Sequence, residues 1–270
     1  MPFELLRYQM LLPAFGLVLA RVAGLVIATP MFSSRQIPTQ VKAWLVAALS
    51  LMAFPVVLPH LPTDVTLAMA AAGMIGELLI GYLLGFAAAV VFYAAQTGGK
   101  IISHQAGMAL GTVFNPIFDE ESTALDQVWF FTVTAVFLIS RGHIAVIMSL
   151  LSSFKHVPPM LDSVDGEVGE LLIMMMRDMF ELAIRLAGPT ILTLFITSLL
   201  MGFLTKTMPQ LNVLSVGFSL KIGAALFVAA ITIGFAEEMI VDSIGDSLDL
   251  VGRFFETSAT ALMQGGAYAG

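Results

Sequence analysis

The chain alternates long apolar runs with short polar breaks. Six runs stand out, at residues 10–28, 41–58, 67–95, 128–151, 171–204 and 213–240. None shows the two-residue alternation of a half-buried strand, and runs of about 20 apolar residues match a helix that spans the hydrocarbon of a bilayer. Prolines punctuate the first breaks, from Pro30 to Pro38 and from Pro55 to Pro62, and two longer connections follow at 98–127 and 152–170. The third and fifth runs are too long for one upright crossing, since at about 1.5 Å per residue each exceeds ~40 Å. They must tilt, bend or leave the membrane, and Pro189 after Gly188 predicts a kink in the fifth. The predicted fold class is all-α, an integral membrane protein with about six apolar helical segments.

Composition strengthens this picture. Of 270 residues, 58% are hydrophobic and 11% charged, with a mean hydropathy of +0.94. A soluble domain of this size cannot hide that much apolar surface, so a membrane or a large apolar partner must cover it. The absence of cysteine excludes disulfides, thiol catalysis and thiolate metal sites. A net charge of −7 offers no basic face for nucleic acid. The first run follows Arg7, as in a signal peptide, but Ala28-Thr29-Pro30-Met31 is a poor cleavage site, and a retained helix is expected. Basic residues near the run ends lean toward an N-terminus outside the cytoplasm.

Eight charges fall well inside apolar runs, away from their ends: Arg21, Glu77, Arg141, Arg177, Asp178, Glu181, Arg185 and Lys221. A charge at the bilayer centre costs about 2.5–3.5 kcal/mol even on the lenient insertion scale, so each must face protein, water or another charge. Glu181 lies four residues from both Arg177 and Arg185, which predicts a local ion-pair ladder. Arg21 and Lys221 have no partner within their own helices and need one on another helix or subunit. Gly73, Glu77, Gly81 and Gly85 recur every four residues, setting one carboxylate in a stripe of small residues where another backbone can approach closely. That stripe suits helix packing or a subunit contact; it also suits an ion site. The charges therefore leave two classes open, a secondary transporter with an intramembrane charged site and a subunit of a larger assembly. The lack of an internal repeat counts against the transporter.

Catalytic signatures are missing. There is no HExxH, GxSxG or P-loop, and the histidines at 60, 104, 143 and 156 lack metal-ligand spacing. Asp162, Asp165, Glu167 and Glu170 read as a solvated face, with a weak divalent-cation site as the alternative. No enzyme activity, cofactor or metal is expected. The seventeen methionines suit either gap filling in a core or a conforming seal around a pore.

Two segments carry more specific information. Residues 98–119 begin with Gly98-Gly99, carry Gly107 and Gly111 among apolar side chains, and end in Phe114-Asn115-Pro116-Ile117-Phe118 before an acidic run. A connection this apolar predicts a re-entrant element resting on protein, or a short core helix and turn. Residues 205–222 set Pro209-Gln210-Leu211-Asn212 between two apolar runs and then place Lys221 inside the second. The stretch through Pro209, Gln210 and Asn212 resembles the C-terminal signature of the FliR family, the R subunit of the flagellar protein-export gate. The T subunits of virulence type III secretion systems are related to it. Pro30-Met31-Phe32 with Ile37-Pro38, Gly76-Glu77, Gln105-Ala106-Gly107-Met108 and Leu186-Ala187-Gly188-Pro189 match in the same order.

The resemblance implies a single export-gate domain over 1–270, built of long kinked helical hairpins, P-subunit-like in its N-terminal part and Q-subunit-like in its C-terminal part. It implies a non-catalytic subunit of the bacterial inner membrane and flagellar basal body. Its partners would be P and Q subunits, the FlhB switch protein, membrane lipid and, as cargo, unfolded flagellar proteins. It also implies a pore-closing plug to which Gly107, Met108, Leu110, Phe114 and Phe118 are assigned. Asn115-Pro116 stands where many relatives carry Asp-Pro.

Overall fold

A computed structural model describes residues 2–34, 37–60, 67–108, 123–160, 168–208 and 213–266, and no strand occurs among them. Among the described residues eight α-helices follow in order: α1 (Pro2–Ala28), α2 (Pro30–Ser33), α3 (Thr39–Val57), α4 (Leu67–Ala106), α5 (Ala124–Ile139), α6 (Gly142–His156), α7 (Val168–Thr207) and α8 (Val213–Gly266); a 3₁₀ turn, Leu58–His60, ends α3. The all-α expectation holds. Four helices, α3, α4, α7 and α8, are long and apolar enough to cross a membrane, and α5 with α6 makes a fifth candidate if that broken pair is one span.

Two of the predicted runs change shape. The fourth breaks at Ser140-Arg141, where Arg141 takes a left-handed conformation (φ 60°) and Gly142 starts α6. Arg141 is exposed at this break and does not sit inside an unbroken apolar helix. The third run does not stop at Gly98-Gly99, and α4 continues to Ala106. These glycines are contact points. A Cβ on Gly99 would lie 2.6 Å from the Asp126 Cα in α5, and one on Gly98 would lie 3.1 Å from the Ala183 carbonyl in α7. The α7 helix passes through Pro189 without a break in its assignment.

The helices form two compact units that interleave along the chain. The first unit contains residues 1–90, 141–175 and 244–270. In it α1 packs on α3, with Phe15 and Phe54 edge to face at 5.5 Å, and α1 also packs on the first part of α4. The two backbones approach unusually closely, because a Cβ on Gly81 would overlap the Arg21 carbonyl and one on Gly24 would overlap the Leu78 carbonyl. The second unit contains residues 91–140 and 176–243. Its core joins Ile102 and Ala106 of α4, Leu125 of α5, Ala187 and Leu194 of α7, and Ala225 and Ala229 of α8. Small residues at these positions let four helices meet at short range, which favours dispersion contact over bulk.

Much apolar surface stays uncovered. Trp44 and Met52 on α3, Phe195 and Phe203 on α7, and Phe227 and Phe235 on α8 are each more than half exposed. Apolar side chains left open on this scale demand lipid or protein as cover.

Candidate functional site

Three charged side chains are buried among the described residues: Arg21, Glu77 and Asp126. Arg21 and Glu77 meet in the first unit. Arg21 lies on the α1 face that carries Leu17, Val18 and Leu25, all fully buried, so its guanidinium is delivered into the packed interior. There its Nε donates to Glu77 Oε2 at 2.6 Å. Its Nη1 donates to Ser153 Oγ at 3.1 Å and its Nη2 to the Val157 carbonyl at 3.0 Å. The guanidinium carbon stands 4.0 Å above the centre of the Phe154 ring. The second carboxylate oxygen, Glu77 Oε1, accepts the Met160 backbone N–H at 3.2 Å.

One pair thus ties α1, α4, the end of α6 and the turn at 157–160. A buried ion pair is strongly favourable to keep intact, because removing one partner strands the other charge, at about 3–5 kcal/mol. The extra hydrogen bonds give each of the other two guanidinium nitrogens a partner, and the ring face adds a cation–π contact. Met160 holds a left-handed φ of 69°, which costs a residue with a side chain roughly 1–2 kcal/mol. The hydrogen bond to an ionised carboxylate, worth about 1.5–3 kcal/mol, offsets this. Gly73 leaves the room the turn needs, since a Cβ there would touch Leu17 and Met160 at 3.2 Å.

The second unit holds its carboxylate differently. Asp126 Oδ1 accepts the Thr123 hydroxyl at 2.7 Å and its neighbour's amide, Gln127 N, at 3.2 Å. The Thr123 oxygen also lies 2.7 Å from Ser103 Oγ of α4. Thr123 is the N-cap of α5 and Asp126 is its third residue, so the two side chains bond each other and the negative charge sits at the positive end of the helix dipole. Nearby α4 ends in a Schellman motif. Gly107 N donates to the His104 carbonyl at 3.1 Å and Met108 N to the Ser103 carbonyl at 3.0 Å. Gly107 has a φ of 85°, which favours glycine, and a Cβ there would overlap the Phe218 ring of α8. Met108 packs against the core of the unit.

The sequence matches the family described as bacterial export proteins, family 1, over residues 12–247. The chain belongs to that family. It is 27% identical to the flagellar biosynthetic protein FliR of Bacillus subtilis (strain 168), across 80% of this chain and 84% of that one. It is 28% identical to FliR of Pectobacterium carotovorum subsp. carotovorum, across 82% of each. The secretion system apparatus protein SsaT of Salmonella typhimurium is 27% identical across 59% of this chain and 61% of its own. The resemblance to FliR and to virulence T subunits stands, and with its apolar helices the chain is a membrane-embedded export component.

Of the residues singled out in the sequence, Arg21, Gly73, Glu77, Gly81 and Gly85 come together at the α1–α4 contact, where Gly85 meets the Leu25 carbonyl. Lys221 is half-buried on α8, away from this cluster in sequence and in the other unit. Gly107 and Met108 end α4. Leu110, Phe114 and Phe118, and likewise Pro209, Gln210 and Asn212, lie outside the described residues. The ladder on α7 is half formed, for Arg185 pairs with Glu181 at 2.5 Å and Arg177 makes no ion pair with it. Arg177, Asp178, Glu181 and Arg185 are all exposed. No cluster of three metal-ligating side chains occurs among the described residues. Sequence reasoning missed the Arg21–Glu77 pairing, Asp126 and the role of Gly98-Gly99. The signal for the first was present, as one unpartnered cation and one unpartnered anion in different runs.

Proposed function

We propose that this chain is a non-catalytic core subunit of a flagellar type III protein-export gate in the bacterial inner membrane, within the flagellar basal body. The family match over residues 12–247 carries the reading. The flagellar branch is favoured because the FliR relatives align over about four-fifths of the chain and SsaT over 59%. In this reading the chain is one export-gate domain, P-like at its start and Q-like at its end. It joins P and Q subunits and contacts FlhB, and the exposed apolar faces of α3, α7 and α8 supply surface for those neighbours and for lipid. Unfolded flagellar proteins pass through the assembled channel. The segment following Met108 closes it when idle, and the Schellman turn with Phe218 against Gly107 gives that segment a fixed root.

The transporter alternative loses its best candidate. Both oxygens of Glu77 are held inside the chain, one by Arg21 and one by Met160 N, so neither is open to a passing ion.

Co-expression with P and Q subunits tests the assembly. A co-purifying complex is expected, together with loss of motility in a strain lacking this chain; an unchanged monodisperse particle with and without P and Q subunits would refute it. Deleting residues 108–114 tests the plug separately. The complex should assemble and the membrane should leak ions, whereas normal assembly with unchanged conductance removes the plug assignment.

A further inference from the structure

The first unit holds a cleft of about 360 Å³ between the end of α6 and residues 248–256 of α8. Its size falls within the range of ligand pockets, about 300–1,000 Å³. Its wall is polar in a chain that is otherwise strongly apolar: Ser149, Ser152 and His156 from α6 line it with Asp249, Arg253 and Glu256 from α8. Part of this set is already occupied. His156 Nε2 lies 3.4 Å from Glu256 Oε1, and its Nδ1 is 3.1 Å from the Ser152 carbonyl. The rest is open. Asp249 and Arg253 are four residues apart on one helix face, the spacing at which such side chains usually pair, yet they form no ion pair. Arg253 instead turns its Nε toward the Asp249 backbone carbonyl at 3.4 Å, which leaves the two outer nitrogens of its fork free. A guanidinium and a carboxylate therefore line one cleft without neutralising each other.

The geometry points to a binding site for a zwitterionic phospholipid headgroup, with phosphate on Arg253 and a primary ammonium on Asp249. An arginine fork matches phosphate oxygens in a bidentate way, and an ammonium has three donors for carboxylates and serine hydroxyls. The position in the chain favours lipid as the source. The α6 helix shows Ile144 and Met148 outward and then ends in Lys155 and His156, the change from apolar to polar that marks headgroup level. Leu84 and Leu248, both buried, form the apolar floor of the same cleft. This inference requires a membrane and does not depend on the export reading.

Native mass spectrometry of the full-length protein in its membrane complex, released from nanodiscs, tests it. One phosphatidylethanolamine per chain should be retained when nanodiscs contain it, and phosphatidylcholine, whose quaternary nitrogen has no N–H donor, should be retained about tenfold less. Arg253→Gln should lower phosphatidylethanolamine retention by a similar factor, while Arg185→Gln, an exposed arginine outside the cleft, should not. Equal retention of the two lipids by the unmodified protein, or of phosphatidylethanolamine by the unmodified and Arg253→Gln proteins, overturns the proposal. Displacement of the lipid by soluble phosphoethanolamine at equal concentration overturns lipid as the source.

Discussion

Each unit buries a carboxylate, and they do so by opposite means. Glu77 meets a guanidinium 56 residues away in sequence, and the pair locks three helices and a turn. Asp126 meets no cation; it rests on a hydroxyl and an amide of its own helix start, with Ser103 of α4 reached through that hydroxyl. The first arrangement is long-range and all-or-none, because either charge alone is costly. The second is local and divisible, because each hydrogen bond can be lost separately. The first unit should thus fail abruptly on substitution at its charged centre, and the second should weaken by degrees.

The sharpest break comes at the ion pair. Glu77→Ala leaves Arg21 buried and unpaired, and a loss of about 3–5 kcal/mol is expected, seen as collapse of the purified complex or a large fall in its melting temperature. Arg21→Met with Glu77→Leu removes both charges and should recover most of that loss. If the double variant is as damaged as the single one, the pair does more than hold helices together, and the comparison with Asp126 fails.

Next in size is the approach that makes the pair possible. Gly81 faces the Arg21 carbonyl, and Gly76, on the same helix, meets nothing within 4 Å. Gly81→Leu should push α1 from α4 and cost about 1–3 kcal/mol or more. Gly76→Ala should stabilise by roughly 0.5–1 kcal/mol through helix propensity alone. Equal effects in thermal unfolding would mean that the stripe has no packing role.

These two sites also show what was legible in the sequence. Helix class and the apolar runs followed from periodicity and length, since hydrocarbon thickness sets both. The stripe of Gly73, Gly81 and Gly85 was visible because the period of a helix repeats locally. The partner of Glu77 was not, because nothing local encodes which of several buried cations lies opposite. Gly98-Gly99 was misread as a stop. Paired glycines weaken a helix in isolation, but here close contact with α5 and α7 decides, and propensity yields to packing. Of the eight charges set well inside apolar runs, Arg141, Arg177, Asp178, Glu181 and Arg185 are exposed and Lys221 is half-buried, since a run's hydropathy does not say which way one side chain in it faces. The buried pair is satisfied inside the chain, so instability of the chain expressed alone would stem from its uncovered apolar faces.

At the second unit a smaller, graded response is expected. Thr123→Ala removes the hydroxyl shared by Ser103 and Asp126 and should cost about 1–3 kcal/mol, the range for a lost hydrogen bond to a buried carboxylate. Asp126→Asn keeps an acceptor for that hydroxyl and should cost less. A collapse as complete as that of Glu77→Ala, in the same melting assay, would show that Asp126 carries an interaction as indivisible as the ion pair.

The smallest effect should come from the exposed pair on α7, and it sharpens the comparison most finely. Arg185 and Glu181 are 2.5 Å apart with side chains 63% and 47% exposed. Water screens such a pair, so Arg185→Ala should change the stability of the isolated chain by no more than ~0.5 kcal/mol. Yet Phe180 and Ile184 flank it, also exposed, on a helix apolar enough to cross a membrane. An ion pair in such a setting is tolerable if protein or water, and not acyl chains, lies against it. The same substitution measured in the assembled complex separates these covers. A loss several-fold larger in the complex than in the chain alone means that another subunit desolvates the pair; an equal loss in both means that this face stays wet. Either result makes the buried centre of the first unit the reference, as a charge pair whose cover is its own chain.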